Sequence, residues 1–290
     1  MTYRFILSCA PYTFEVSTEF TNVAEFLRTL YGSRLIEPAH YHGFIDYKVS
    51  LSNTTGMRAL VKPQARFLFE GIEPFKPFSV QQGHALIEWG LNWVVSSQEF
   101  SYVIIHAAVL AKGDKAIVCP ALSGSGKSTL AAYLSRNGWR LLSDEMALIS
   151  PNSSTVTPFV RPICLKNHSI DLAKRWFPDA FFSKVAVNTH KGDVIHLRPD
   201  PHSIEHSTTP AQVVGVIFPK YNQDTFLDVY KIDKAGCFQG LTQNAFNYGI
   251  LGKDGVSSLI NIAETSQCFE IHYNDMAEVN RFLSEVVASE

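Results

Sequence analysis

The amino-acid sequence, 290 residues long, predicts an α/β fold. Three observations carry this prediction: a strand-like run at residues 115–119, a turn rich in glycine and serine directly after it, and helical spacing of apolar residues over 128–136. Prolines and turn residues near position 77 mark a boundary. We therefore predict a small α+β lobe over residues 1–80 and a larger α/β domain over residues 81–290.

The N-terminal lobe shows alternating apolar and polar residues, the pattern of extended strands. The predicted strands cover residues 4–9, 12–16, 44–51 and 59–69. Between the second and the third of these, residues 22–31 place Val23, Phe26, Leu27 and Leu30 on one face of a helix. The lobe carries no catalytic motif, so the sequence leaves its role open.

The larger domain begins with a helix at residues 80–97, where apolar residues recur at helical spacing. Residues 102–110 and 115–119 are rich in Val, Ile and Ala, and the turn at Gly113 and Asp114 joins them in a predicted hairpin. This hairpin leads directly into the turn rich in glycine and serine.

The next predicted element is the helix at residues 128–136, which Gly138 is expected to stop because glycine is favoured just past a helix end. Strand-like residues follow at 139–143, and a further apolar run covers 146–149. The chain closes with an amphipathic helix at residues 276–287.

The composition argues against several classes of partner. Lys and Arg number 25 against 27 Asp and Glu, and a formal net charge of -2 provides no basic field for nucleic acid. The five cysteines form no Cys-x-x-Cys pair, so neither a disulfide framework nor a zinc site is expected. No apolar run approaches the roughly 20 residues that cross a bilayer, and the N-terminus lacks a signal-peptide pattern. We therefore expect a cytoplasmic protein without membrane or nucleic-acid partners.

Residues 121–129 read Ala-Leu-Ser-Gly-Ser-Gly-Lys-Ser-Thr and match the P-loop pattern, with alanine at its first position. The backbone N–H groups of such a loop curl around phosphate oxygens, and glycines permit the required dihedral angles. Lys127 is predicted to reach the β- and γ-phosphates of ATP, and the Ser128 hydroxyl to help hold Mg²⁺. The residues predicted to bind the nucleotide are Ser123, Gly124, Ser125, Gly126, Lys127, Ser128 and Thr129.

Two acidic residues, Asp144 and Glu145, follow the strand that comes after the P-loop helix. One helix and one strand suffice to bring them back beside the phosphates, where a carboxylate can position Mg²⁺ or accept a proton from a hydroxyl. His106 lies in the strand predicted to pair with the one entering the P-loop, on the face of Ile104 and Ala108. The sequence thus predicts a phosphate site flanked by carboxylates and a histidine.

Six segments taken together carry a family resemblance. They are Glu-Trp-Gly-Leu-Asn-Trp at 88–93, Ile-His-Ala-Ala-Val at 105–109, the P-loop at 123–129, Gly-Trp-Arg-Leu-Leu-Ser-Asp-Glu at 138–145, Arg-Pro-Ile-Cys-Leu-Lys-Asn at 161–167 and Ala-Phe-Asn-Tyr at 245–248. The chain resembles the HPr kinase/phosphorylase family, and especially the bacterial group called HprK-related kinase A. This resemblance implies a P-loop kinase core of the HPr kinase/phosphoenolpyruvate carboxykinase type, a mixed twisted sheet with helices.

The resemblance also implies a role for each candidate residue. Asp144 would act as general base toward a substrate hydroxyl, and His106 would lie near the γ-phosphate. Arg161 would place positive charge near the equatorial oxygens of the transferred phosphoryl group. The implied catalytic residues are Asp144, His106, Lys127 and Arg161, and the implied Mg²⁺ ligands are Ser128, Asp144 and Glu145.

The chain departs from the bifunctional members of that family in its second carboxylate, which is Glu145 here and an aspartate there. It also lacks a clear Glu-x-x-x-Arg-Gly signature of the kind associated with phosphorolysis. The sequence therefore leaves phosphorylase activity open. It also leaves open whether HPr is the acceptor, because a kinase-only relative could keep the ATP site and change its partner surface.

The predicted function is that of an ATP- and Mg²⁺-dependent kinase acting on a hydroxyl, with a serine of a peptide or protein as the favoured acceptor. Two alternatives stay open: an ATP-binding regulator with weak catalysis, and a kinase or carboxykinase-like enzyme that acts on a small molecule. The intact pair of Asp144 and Glu145 disfavours the first. The resemblance allows a homo-oligomer, since HPr kinases form hexamers.

Overall fold

The computed structural model describes residues 2–54, 63–121 and 124–289. Within these ranges, helices combine with sheets of mixed parallel and antiparallel strands, which confirms the predicted α/β class. The chain divides into two compact units. The first comprises Met1–Gln98 and Cys164–Arg198, and the second comprises Glu99–Ile163 and Pro199–Glu290.

The strands are numbered in chain order: β1 (Tyr3–Cys9), β2 (Tyr12–Thr18), β3 (Leu35–Ile36), β4 (Tyr47–Asn53), β5 (Gln64–Phe69), β6 (Phe78–Ser79), β7 (Val103–Ile105), β8 (Ala107–Lys112), β9 (Lys115–Pro120), β10 (Arg140–Ser143), β11 (Ala147–Ile149), β12 (Thr155–Thr157), β13 (Ile163–Lys166), β14 (Ala186–Thr189), β15 (Gly192–Leu197), β16 (Ala211–Tyr221), β17 (Leu227–Lys231) and β18 (Gln267–Tyr273).

The α-helices are α1 (Thr21–Tyr31), α2 (Gly83–Gln98), α3 (Lys127–Leu134), α4 (His168–Trp176), α5 (Pro201–Glu205), α6 (Lys234–Asn244), α7 (Gly252–Thr265) and α8 (Met276–Ala288). Short 3-10 turns occupy Gly32–Arg34, Pro38–His40 and Val80–Gln82. Across the described ranges, no helix is both long enough and apolar enough to cross a lipid bilayer.

The first unit is built on a sheet in the order β3-β1-β2-β4-β5-β6, on which α1 and α2 pack. Its strands and helix follow the predicted pattern at residues 4–9, 12–16 and 22–31. The predicted strand at 44–51 begins only at Tyr47, since Phe44 is exposed and has no buried face to alternate with. Of the prediction at 59–69, residues 59–62 lie outside the described residues.

The two compact units divide the chain differently from the boundary predicted at residue 80. Helix α2, which follows that boundary, belongs to the first unit. The buried residues Ala85, Cys164, Ala186 and Val194 form one apolar cluster there, which joins α2 to the second stretch of the same unit. Prolines therefore mark a turn before α2, whereas the burial of apolar side chains decides which unit the helix joins.

The second unit contains a sheet in the order β10-β8-β9-β16-β12-β11-β7, with β18 beside β16 and β17 beside β18. Strands β9, β16 and β18 run parallel to one another. Their carboxyl ends consequently meet at one edge of the sheet, the place where α/β folds bind ligands. Helices α6, α7 and α8 pack against this group of strands.

The predicted strand at residues 102–110 is wrong in one respect, because it is interrupted at His106. Strand β7 before this residue pairs with β11, while β8 after it forms the predicted hairpin with β9. His106 N donates to Asn244 O at 2.7 Å, and Phe246 N donates to Ile104 O at 2.8 Å. The segment at residues 244–246 thus makes hydrogen bonds that a neighbouring strand would make with a continuous strand.

The remaining predicted elements of the second unit are confirmed, with small shifts at their ends. These are the helix α3, the strands β10 and β11, and the C-terminal helix α8. All five cysteines are buried free thiols, as the absence of paired spacing predicted.

Candidate functional site

Residues 121–129, called here the candidate phosphate loop, connect the buried strand β9 to helix α3. Ser123, predicted to bind the nucleotide, lies outside the described residues. Gly124 and Gly126 have φ angles of 94° and 90°, a region that disfavours other residues. Gly126 is the N-cap of α3, so the loop delivers the chain to the amino end of a helix, where free N–H groups favour anions.

Two tyrosines from the ends of the neighbouring parallel strands hold the loop in place. Tyr221 N donates to Ser125 O at 3.0 Å. A Cβ atom at Gly126 would stand 2.7 Å from the Tyr273 hydroxyl, so the close approach also requires glycine. Burial raises the pKa of Tyr273, which keeps its hydroxyl protonated as a donor to Gly126 O at 3.4 Å. Neither tyrosine is recognisable from the sequence as a neighbour of the loop, because they follow it by about a hundred residues or more.

Lys127 and Asp144 meet at the end of β10. Both side chains are buried, with exposed fractions of 7% and 4%. The Lys127 Nζ donates to the main-chain oxygen of Asp144 at 2.5 Å. Ser143 Oγ accepts from the backbone N–H groups of Glu145 and Met146, at 3.3 and 3.0 Å, and so fixes the turn that presents the acidic pair. The backbone of Asp144 therefore lies beside the lysine of the loop.

His106 lies beside Glu145. Its Nδ1 donates to the Glu145 main-chain oxygen at 3.0 Å and stands 3.6 Å from the carboxylate Oε2. With the Nδ1 proton used in this bond, Nε2 carries the lone pair of the neutral ring. Both side chains are roughly three-quarters buried, and the Phe246 ring lies 5.8 Å from the imidazole. His106 therefore lies next to Glu145 of the acidic pair. It reaches this position from the break between β7 and β8, and not from a continuous strand paired with β9.

The other predicted site residues lie on α3 and on the segment between β12 and β13. Ser128 and Thr129 are half-buried in the first turn of α3. Arg161 is buried, with its guanidinium carbon 5.2 Å from the centre of the Phe159 ring. Phe159 N donates to Leu142 O at 2.8 Å, which holds the segment carrying Arg161 against β10.

Cys119 lies on β9 just before the loop and is completely buried. Burial raises the pKa of its thiol to about 12 despite the neighbouring Lys127 ammonium. The thiol is therefore protonated near neutral pH, and it has no thiolate with which to act as a nucleophile.

A cavity of about 570 Å³ adjoins the loop. Its wall is formed by the end of β9, the loop, the end of β16, helix α6 and one residue of β18, and it includes Pro120, Ser125, Phe218, Lys220, Gly240, Asn244 and Glu270. The buried Ser125 Oγ has no hydrogen-bond partner among the described residues. Asn244 also accepts the bond from His106 N, so this wall continues to the histidine.

The cavity wall carries a group of ionisable side chains. Glu270 accepts from Lys220 Nζ at 2.7 Å and contacts His272 Nε2 at 2.8 Å. Lys220 first and His272 second lower the pKa of Glu270, so its carboxylate is ionised across the neutral range. This group is not recognisable from the sequence, since its members come from two strands separated by about fifty residues.

No protein-family model matches the chain, and the search of curated proteins found no match either. The function of the site must therefore be inferred from its residues and their geometry.

Proposed function

We propose that this protein is an ATP-dependent phosphotransferase with a P-loop kinase core of the HPr kinase/phosphoenolpyruvate carboxykinase type. The observation that carries the proposal is the 2.5 Å hydrogen bond between Lys127 Nζ and Asp144 O. Phosphoryl transfer needs a cation on the phosphates close to a carboxylate that handles Mg²⁺ or the acceptor proton. The bond supports the proposal because it places the lysine ammonium beside the backbone of a residue that carries such a carboxylate.

Phosphate binding would use the candidate phosphate loop and Lys127. The positive φ angles at Gly124 and Gly126 and the amino end of α3 favour a row of N–H groups that can donate to phosphate oxygens. In the bound state, the Lys127 ammonium would exchange the Asp144 carbonyl for phosphate oxygens. The buried ammonium would then neutralise charge where water cannot screen it.

The side chains at this point fit Mg²⁺. Ser128, Asp144 and Glu145 offer the hydroxyl and carboxylate oxygens that this hard cation prefers. When bound, Mg²⁺ would neutralise charge on the β- and γ-phosphate oxygens.

The other steps fall to the side chains themselves. Asp144 would accept the proton of the acceptor hydroxyl, as a base positioned at the end of a buried strand. His106, held through Nδ1 by the Glu145 carbonyl, would lie near the γ-phosphate. Arg161 would contribute positive charge from beside β10. We propose a serine of a peptide or protein as the acceptor.

The cavity supports ATP rather than phosphate alone as the ligand. In the sheet order, β10 with the acidic pair lies on one side of β9, and β16 and β18 lie on the other. A phosphate chain with its γ end toward Asp144 would therefore direct the nucleoside over the ends of β16 and β18. The cavity there has about 570 Å³, within the usual range for ligand pockets, and combines the Phe218 ring with the polar group of Lys220 and Glu270.

The test is Lys127→Ala, with Lys253→Ala as a matched control because Lys253 is an exposed lysine of the same unit. ADP formation from Mg·ATP should fall by roughly 10²–10³-fold in the first variant, since a group that stabilises transition-state charge is removed, and should not change in the second. Transfer of labelled γ-phosphate to serine peptides and to small alcohols identifies the acceptor class. Undiminished turnover in Lys127→Ala would defeat the proposal, and ATP binding without turnover by the unaltered protein would favour a regulator.

A further inference from the structure

We propose that His202, Glu205 and His206 bind a divalent transition-metal ion such as Zn²⁺, at a site separate from the candidate phosphate loop. The three residues belong to helix α5 and the position directly after it. One ligand atom from each lies within 4.8 Å of the other two, and the imidazole ring centres are 4.3 Å apart. Zinc coordination places nitrogen and oxygen ligand atoms ~2.0–2.2 Å from the ion, so binding would draw these side chains toward a common centre.

The sequence spacing agrees with this assignment. Residues 202–206 read His-Ser-Ile-Glu-His, and histidines at positions i and i+4 share one helix face. Here the helix spans little more than one turn, and His202 and Glu205 are exposed. An ion at this place would be open to solvent.

The His206 ring is already oriented as a ligand. Its Nδ1 donates to the His202 main-chain oxygen at 3.0 Å, which leaves the Nε2 lone pair for an ion. Histidines that bind metals usually donate their other ring N–H to a carbonyl or a carboxylate in this way, because the bond fixes both tautomer and ring orientation.

The backbone that carries the three side chains is held from several directions. Asp200 accepts from Ser203 N at 2.9 Å and from Ser203 Oγ at 2.5 Å, as the N-cap of α5. Ser203 is completely buried, and its Oγ accepts from Leu141 N at 2.8 Å. Arg140, also buried, donates to His206 O at 3.1 Å. The turn is therefore anchored to β10. A metal ion would bind to a backbone that is already ordered.

The ligand chemistry selects the class of ion. Two imidazoles and one carboxylate suit Zn²⁺, Ni²⁺ or Cu²⁺, whereas Mg²⁺ prefers oxygen ligands alone. The site is thus chemically distinct from the Mg²⁺ ligands proposed at the loop, and the two can be tested independently.

The experiment is calorimetric titration of the metal-free, full-length protein with ZnCl₂, comparing His202→Ala and His206→Ala with His168→Ala. His168 is an exposed histidine at the start of α4 and serves as the control. We expect one zinc equivalent in the unaltered protein and in the control. We expect His202→Ala and His206→Ala each to bind zinc at least about 10–100-fold more weakly. Removal of a residue that only hydrogen-bonds to a metal ligand already causes a loss of this size.

Thermal unfolding of each variant verifies that the fold is kept, and His202 is the more decisive position because its exposed side chain can be removed without opening the core. Equal zinc affinity in His202→Ala and the unaltered protein would overturn the proposal, as would the absence of any zinc binding. Zinc bound instead by His106 and Glu145 would bind equally well to all the variants. This result would distinguish that site from the proposed one.

Discussion

The two compact units bury ionisable side chains in different surroundings. In the second unit, Lys127 and Asp144 are buried at the carboxyl edge of a sheet, where a loop, a strand end and a cavity wall meet. In the first unit, Glu88 accepts from the Tyr31 hydroxyl at 2.7 Å, and His84 packs against the rings of Phe26 and His196.

This difference shows that burial of a charged or titratable group does not by itself mark a functional site. A buried group whose partners lie in the same core is explained by packing and hydrogen bonding. Buried groups that converge at the ends of parallel strands, beside a loop with a special backbone conformation, are in the place where α/β folds bind ligands. Substitutions in each unit should accordingly affect different properties.

The largest expected effect is on catalysis in the second unit. Asp144→Asn should lower the rate of phosphoryl transfer by about 10²–10⁴-fold, because the amide cannot take the proton from the substrate hydroxyl. The main-chain oxygen that receives the Lys127 bond is retained, so the melting temperature should change little. Single-turnover kinetics with Mg·ATP and circular-dichroism melting measure the two properties. A large fall in melting temperature with catalysis intact would assign Asp144 to stability instead.

A smaller effect is expected on stability in the first unit. Tyr31→Phe removes the hydroxyl that donates to buried Glu88, and a hydrogen bond to a charged group contributes about 1.5–3 kcal/mol. The free energy of unfolding in urea should fall by that amount, while ATP affinity is unchanged. Tyr3→Phe is the control, since Tyr3 bonds Thr21 at an exposed position and its loss should cost less than ~0.5 kcal/mol. Equal losses in the two variants would contradict the distinction.

The smallest effect concerns pH. Burial lowers the pKa of His84, although neighbouring carbonyl groups and Glu88 partly oppose this shift. The unfolded chain, with an ordinary histidine pKa of about 6.5, then binds a proton that the folded state does not, so stability falls as pH drops below that value. The folded protein loses at most about 1.4 kcal/mol for each pH unit between the two pKa values.

His84→Gln should therefore reduce the loss of unfolding free energy between pH 6.5 and pH 5.5. His40→Gln, at an exposed position of the same unit, provides the comparison. Urea unfolding at both pH values measures the difference between the variants. Should the acid-induced loss stay the same in His84→Gln, the buried histidine is not its source.

The candidate phosphate loop was predictable because its residues are neighbours in the chain. Gly124, Gly126 and Lys127 act through local backbone geometry and the start of α3, and apolar periodicity indicates the flanking strand and helix. The return of Asp144 was also predictable, since a single helix and a single strand separate it from the loop.

The surroundings of the loop were not predictable in the same way. Tyr221 and Tyr273 reach it through parallel strands, and such pairing joins residues far apart in sequence. His106 was expected within a strand, yet hydrogen bonds around Asn244 interrupt that strand and leave the histidine beside Glu145. Local alternation contains no information about which distant segment supplies those bonds.

The sequence by itself therefore determined the α/β class, most of the regular elements and the set of residues proposed to handle phosphate. Periodicity, turn chemistry and the glycine positions are properties of a few consecutive residues. They can therefore be recognised without knowing which elements pack against those residues. Only the tertiary structure decided that α2 belongs to the first unit, that the cavity with Lys220 and Glu270 adjoins the loop, and that His202 and His206 stand on an anchored turn. These features arise from burial and hydrogen bonding between segments, where many distant pairings compete.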